Sequence, residues 1–229
     1  MNKVLVVAAH PDDEVLGCGG TIARHIQEGD KVHVLILAEG ITSRDTMSNK
    51  KKSSIELRRL SKSTQKSHKI LGTTSIKTFD LPDNRMDSVD LLDVVKIVEK
   101  EVKKINPKIV YTHHIGDLNI DHTITHKAVV TACRPEPNKS VRKILCFEIP
   151  SSTEWQTATK KNSFNPNYFI DISKTLSKKV KALKAYYSEM KPWPHSRSIE
   201  ALQHLAKWRG STVGYKAAEA FILIRELIK

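Results

Sequence analysis

The sequence is short of cysteine, of acidic residues and of long apolar runs, and each shortage excludes something. Three cysteines in 229 residues, with no CxxC spacing, offer neither a disulfide framework nor a cysteine-built zinc site. Cys18, Cys133 and Cys146 are therefore expected as small buried apolar residues. No segment approaches the roughly 18 to 20 apolar residues of a membrane-spanning helix. Met1-Asn2-Lys3 leads straight into the apolar run Val4 to Ala9 without the pattern of a secretory leader, so a soluble, cytoplasmic protein is the expectation. No repeat or low-complexity tract interrupts the chain.

The 25 Asp and Glu are outnumbered by 38 Lys and Arg, giving a formal charge of +13. The resulting positive potential would draw in phosphate, nucleotide or anionic glycolipid. The lysines are spread along helix-like segments, and no motif interleaves them with aromatics, so no specific nucleic-acid partner is expected. A solvated basic face or an anionic small-molecule substrate accounts for them.

What is present is an ordinary globular balance, 39% hydrophobic and 28% charged, in a chain long enough for one sizeable core. A single domain over 1–229 is expected. Val4 to Ala9 does not alternate and is too short for a buried helix, so it reads as a central parallel strand. A helix to about Glu28, a strand from Val32 to Ala38, and helices over Ser53 to Leu71 and Leu91 to Ile105 follow. Strands near Ile76 to Phe79, Lys108 to Thr112 and Ile144 to Ile149, with a helix from Asp121 to Cys133, complete the alternation. This pattern predicts a Rossmann-like, three-layer α/β fold with a mostly parallel sheet.

Glu39 to Lys52 is polar and reads as a surface loop able to act as a lid. The C-terminal third, about 150–229, contains a loop from Pro150 to Pro166, an apolar run Tyr168 to Ile172 and a helical pattern from Leu176 to Met190. Pro192 and Pro194 break it before a second helical stretch, Ile199 to Trp208, and a closing apolar run, Ala220 to Ile224. This third is expected to complete the pocket, and its apolar segments could support a homo-oligomer.

In an open parallel sheet ligands gather beyond the carboxyl ends of the strands, where His10-Pro11-Asp12-Asp13-Glu14 stands directly after the first strand. His10 and Asp13 offer one imidazole nitrogen and one carboxylate oxygen, both good zinc ligands, while Asp12 stays free. A catalytic zinc needs a third protein ligand and an open position for water. The cluster His113-His114-Ile115-Gly116-Asp117-Leu118-Asn119-Ile120-Asp121-His122, after another strand, supplies candidates.

The run Ala9-His10-Pro11-Asp12-Asp13-Glu14, with Gly17 and Gly19-Gly20 behind it, resembles the AHPDDE signature of the PIG-L or LmbE-like zinc deacetylases. That family's second motif, HPDHxxxH, is matched by Asn119-Ile120-Asp121-His122-Thr123-Ile124-Thr125-His126 at three of four polar positions. Ala218-Glu219-Ala220-Phe221 extends the likeness close to the end of the chain.

The resemblance implies an LmbE-like fold and Zn2+ held by His10, Asp13 and His122. It implies Asp12 as the general base of an N-deacetylase acting on an amino sugar or sugar conjugate. Zinc lowers the pKa of its water, and a nearby carboxylate can take the proton and deliver it to the leaving amine. Asn119 stands where the family has a histidine that helps stabilise the oxyanion. Asn can donate a hydrogen bond there but carries no charge. His113 or His114 could replace the imidazole. Asp121 and His126 are expected to orient neighbouring groups.

Asp83, and Arg59 or its neighbour Arg58, resemble substrate-contacting positions of the family. In Pro192-Trp193-Pro194-His195-Ser196-Arg197, Trp193 suits sugar stacking and Arg197 phosphate. The same centre would serve a zinc amidase for another N-acyl or thiol conjugate. The remaining reading, a non-catalytic nucleotide-binding Rossmann-like module, is opposed by the absence of GxGxxG after the first strand.

Overall fold

β1, Lys3–Ala8, is buried on both faces, and this explains why its sequence does not alternate. Val4, Val6 and Ala8 join one core cluster, and Leu5, Val7 and Ala9 join the other. In the computed structural model the chain is described throughout except at residues 42, 44–49, 138, 139 and 229, with only the backbone described at 50–53. The expected lid loop therefore falls largely outside the described residues.

The elements run β1, α1 (Asp13–Gln27), β2 (Lys31–Ala38), α2 (Lys50–Leu71), β3 (Ser75–Leu81), α3 (Leu91–Ile105), β4 (Ile109–His113) and α4 (Ile120–Ala132). They continue with β5 (Lys143–Phe147), β6 (Tyr168–Asp171), α5 (Leu176–Leu183), α6 (Ile199–Ser211) and β7 (Ala218–Glu226). One seven-stranded sheet results, ordered β3-β2-β1-β4-β5-β7-β6. β1 to β5 pair in parallel, and β7 lies antiparallel between β5 and β6. Residues of α1, α2, α5 and α6 pack on one face, and those of α3 and α4 on the other, as a three-layer α/β sandwich. Among the described residues no helix is long and apolar enough to cross a membrane. All three cysteines are buried and free.

The strand order reverses direction between β1 and β4, so the segments leaving these two strands diverge and open a crevice at their carboxyl ends. The two histidine-bearing clusters leave the sheet there.

α1 is broken at Cys18, whose backbone (φ −144°, ψ 25°) is not helical. The break frees amides and carbonyls that must be paired inside the protein. Glu219 on β7 accepts from the amides of Gly20 (2.9 Å) and Thr21 (2.7 Å). Lys179 on α5 donates to Leu16 O (2.7 Å) and to Glu219 Oε1 (2.6 Å). The Ala218-Glu219-Ala220-Phe221 run thus supplies the cap of a broken helix about 200 residues away. Gly17 allows β5 to approach α1, since a Cβ there would stand 2.4 Å from the Phe147 ring.

The helical pattern read to Met190 stops at Leu183. Beyond it the chain turns inward so that Tyr186, fully buried, donates its hydroxyl to Glu14 Oε1 at 2.8 Å. His68 on α2 also bonds Glu14 Oε1, at 3.1 Å, so one carboxylate ties α2 and the segment after α5 to the turn that follows β1.

Candidate metal centre

Asp12, at the turn between β1 and α1, has φ 112° and ψ −29°, a left-handed conformation that costs a non-glycine residue of order 1–3 kcal/mol. The surroundings hold it there. Its amide donates to Glu14 Oε2 (3.0 Å), and its carbonyl accepts from Val15 (2.9 Å) and Leu16 (2.8 Å). The His10 amide donates to Asp13 Oδ2 at 2.9 Å. The turn therefore presents His10, Asp12 and Asp13 together at the end of the central strand.

His10, Asp13 and His122 converge, one ligand atom from each lying within 4.8 Å of the others. His10 Nδ1 and His122 Nε2 each stand 3.2 Å from Asp13 Oδ2. Asp13 Oδ1 is buried without a hydrogen-bond partner. Two imidazole nitrogens and a carboxylate, one oxygen of which is unpaired, make a donor set suited to zinc or another divalent ion.

Each imidazole is backed by a carboxylate on its far side. His10 Nε2 donates to Asp121 Oδ2 (2.9 Å) and lies 3.2 Å from Asp83 Oδ1. His122 Nδ1 lies 3.0 Å from Asp117 Oδ1. Such carboxylate partners fix ring orientation and raise ligand basicity. Asp121 is itself held by the amides of Asn84 (2.7 Å) and Met86 (3.0 Å). Asp117 accepts from Asn119 N (2.9 Å), Thr153 Oγ1 (2.6 Å) and Ser152 Oγ.

The electrostatics follow from this crowd of carboxylates. Burial opposes charge on His10, but Asp121, Asp13 and Asp83 outweigh it and raise its pKa to about 10. His122, buried beside Asp13 and Asp117, rises to about 9. Asp13 is driven well below the usual carboxylate range, the histidines overcoming its desolvation. Burial would raise Asp117, yet its bonds from His122, Ser152 and Thr153 hold it near 2. The site is a negative pocket that calls for a cation.

Asp12 behaves in the opposite way. Desolvation pushes its carboxyl well above the ordinary value, only partly countered by Arg197, and Asp13 pushes it further. Arg197 Nη1 donates to Asp12 Oδ2 at 3.1 Å, and its Nε donates to Ser151 Oγ at 2.8 Å. The C-terminal third thus reaches into the centre through one guanidinium.

The other residues singled out from sequence occupy different places. Asn119 caps α4, accepting from Asp121 N (2.9 Å) and donating from Nδ2 to Asn84 Oδ1 (2.7 Å). Asp83 is buried and accepts from Ser43 Oγ (2.6 Å) and Ser43 N (3.1 Å). His126 Nδ1 donates to the His113 carbonyl at 2.8 Å, bracing the end of β4.

His113 Nε2 accepts from Ala9 N at 2.9 Å and its ring stacks on His122 at 4.0 Å; burial first, then His122, drives its pKa well below the ordinary value. A neutral ring stacked beneath His122 and accepting from the Ala9 amide is held in the protein interior. His114 Nε2 donates to Asn162 O at 3.0 Å, anchoring the loop before β6. Arg59 is exposed on α2, and no contact among the described residues ties it to the metal cluster. Sequence reasoning gave Asp117 no role of its own within the second cluster and passed over Ser152 and Thr153. Only the Asp-x-Asn spacing before α4 hinted at the first, and nothing local marked the other two.

The PIG-L model, described as GlcNAc-PI de-N-acetylase, matches residues 5–133. The uncharacterized deacetylase YaiS of Escherichia coli K12 is 29% identical over 191 residues, 81% of this chain and 90% of its own. The diacetylchitobiose deacetylase of Thermococcus kodakarensis is 28% identical over 230 residues, covering 96% and 82% of the two chains. Among solved structures, the 4-carboxy-2-hydroxymuconate hydratase of Pseudomonas putida KT2440 superposes with a TM-score of 0.78 at 22% identity, over 100% of this chain and 98% of its own. That last likeness speaks for the fold alone, which therefore carries more than one chemistry. With the family model covering more than half of the sequence, the strand-end motif within the matched residues and deacetylases among its relatives, this chain belongs to the PIG-L family.

Proposed function

We propose that the protein is a zinc-dependent N-deacetylase that hydrolyses the acetamide of an amino sugar or sugar conjugate. The observation that carries this reading is the triad of His10, Asp13 and His122, each imidazole backed by its own carboxylate, with a buried Asp12 beside it. The names of relatives such as diacetylchitobiose deacetylase support the substrate class.

His10, Asp13 and His122 would hold the metal, which supplies Lewis acidity and a water of lowered pKa. Asp12 takes the proton of the attacking water. As the amide C–N bond breaks it returns that proton to the departing amine, leaving acetate and a free amino sugar. Burial keeps the Asp12 carboxyl basic enough for this, while Arg197 fixes the orientation of Oδ2. Asp121 and Asp117 hold the ligand rings, and His126 acts further out through the His113 backbone. Arg197 is the group we assign to the substrate side of the crevice, and Asp83, behind His10, to support of that ring.

The test is metal analysis of purified protein with acetate release measured on N-acetylated sugars, before and after chelation and in Asp12→Ala. Stoichiometric zinc, loss of turnover on chelation with the fold retained, and restoration by Zn2+ are expected. Full activity in zinc-free protein would end the proposal, and addition of water to an alkene acid without acetate release would point to hydratase chemistry instead.

A further inference from the structure

All three tryptophans of this chain are exposed: Trp155 by 55%, Trp193 by 54% and Trp208 by 64%. A tryptophan is a large apolar surface that proteins ordinarily cover, and neighbouring exposed ones mark a binding surface. These three are linked in sequence and space through two histidines. The Trp155 ring meets His195 at 5.8 Å and 73°, and Trp193 meets His204 at 5.7 Å and 88°. His195 and Trp193 are two residues apart in one loop, and Trp208 lies four residues after His204 on α6, one helical turn away.

The strip is tied to the candidate metal centre through Thr153 and Arg197. Trp155 closes the short 3-10 helix Thr153–Trp155, whose Thr153 bonds Asp117 behind His122. His195 Nδ1 accepts from the amide of Arg197, whose guanidinium holds Asp12.

We propose that Trp155, Trp193 and Trp208, with His195 and His204 between them, form a track for a glycan chain extending from the sugar whose acetamide is cleaved. The substrate is then an oligosaccharide or a longer glycoconjugate, not a single amino sugar. The chemistry of the strip favours this occupant. Besides His204 and Trp208, the exposed residues of α6 are Glu200, Lys207 and Ser211, so the Trp208 indole is set among polar groups. A saccharide presents C–H faces to aromatic plates and hydroxyls to the polar gaps between them. A protein partner of ordinary interface size would need a contiguous apolar centre. The inference rests on the proposed deacetylase reading for the identity of the reacting sugar, but binding along the strip can be measured without turnover.

The test pairs kinetics with binding. Wild type, Trp193→Ala and Trp208→Ala are compared by kcat/KM on N-acetylglucosamine and on N,N′,N″-triacetylchitotriose. The trisaccharide is also titrated against intrinsic tryptophan emission in zinc-loaded and chelator-treated protein. We expect wild type to favour the trisaccharide, and each variant to lose about 3- to 10-fold of that preference, the scale of one aromatic contact, with Kd rising by a similar factor. Thermal melting checks that the variants fold, which 64% exposure of Trp208 favours.

Equal Kd in wild type and both variants would overturn the track. So would an oligomer, seen by sedimentation, that Trp208→Ala dissociates. Acetate release from both sugars without preference would remove the track and leave the deacetylase reading standing. Tryptophan-dependent glycan binding without acetate release from either sugar would do the reverse.

Discussion

Replacing Asp117 by Asn tests whether the outer carboxylates matter to the metal. Asp117 Oδ1 stands 3.0 Å from His122 Nδ1 and also accepts from Asn119 N and Ser152 Oγ, while Oδ2 accepts from Thr153 Oγ1. An Asn side chain has the same shape and can keep its carbonyl oxygen on the His122 side. The hydroxyl of Thr153 then turns to accept from the new amide. What is lost is the negative charge that holds the His122 ring and raises its basicity. Removing such a partner typically weakens metal binding by about 10- to 100-fold, equivalent to roughly 1.4–2.8 kcal/mol. Competition against a chromogenic chelator reads the zinc affinity, and urea denaturation of metal-free protein checks that the fold is retained. A Kd within twofold of wild type in a properly folded variant would refute the reasoning and leave Asp117 as a loop anchor only.

Three further outcomes are expected. Lys179→Met leaves Glu219 charged and buried against the broken helix, the pair being only 6% and 4% exposed, so stability should fall by about 3–5 kcal/mol in denaturant titration; a loss under about 1 kcal/mol would show that the pair is dispensable. Asn119→Ala removes the α4 cap and should cost about 1 kcal/mol of stability. If Asn119 serves only as that cap, kcat/KM will change less than tenfold, whereas a loss of about 100-fold or more would put its amide on the reacting oxygen. Burial depresses the His126 pKa below its ordinary 6.5. The unfolded chain then binds that proton more readily, so stability falls as pH drops through about 6.5 and below. His126→Gln should flatten part of the slope between denaturation midpoints at pH 8 and pH 5; an unchanged slope would exclude His126 as a contributor.

The alternation of strand and helix was legible because parallel strands covered on both faces must be apolar throughout, and Val4 to Ala9 announces itself in that way. The His10-Pro11-Asp12-Asp13-Glu14 turn was legible because the strand before it ends abruptly at charged residues. The end of α5 was not, since Leu176 to Met190 keeps a helical period, while the chain beyond Leu183 turns so that Tyr186 bonds Glu14. Nor did spacing reveal that Asn119 spends its side chain on a cap and on Asn84, or that His113 is pinned by the amide of Ala9.

The sequence by itself determined which residues could bind a metal and which strand ends they follow, because ligand chemistry and hydrophobic period are local properties. Only the tertiary structure decided that β4 lies beside β1, and with it that His122 faces Asp13. It alone decided that Arg197, 185 residues from Asp12, closes on that carboxylate, and that Glu219 caps a helix in the first tenth of the chain. The reason is physical. A buried charge or an unpaired amide must find a partner, but its chemistry specifies only the kind of partner, and the packing of the sheet selects which residue it is.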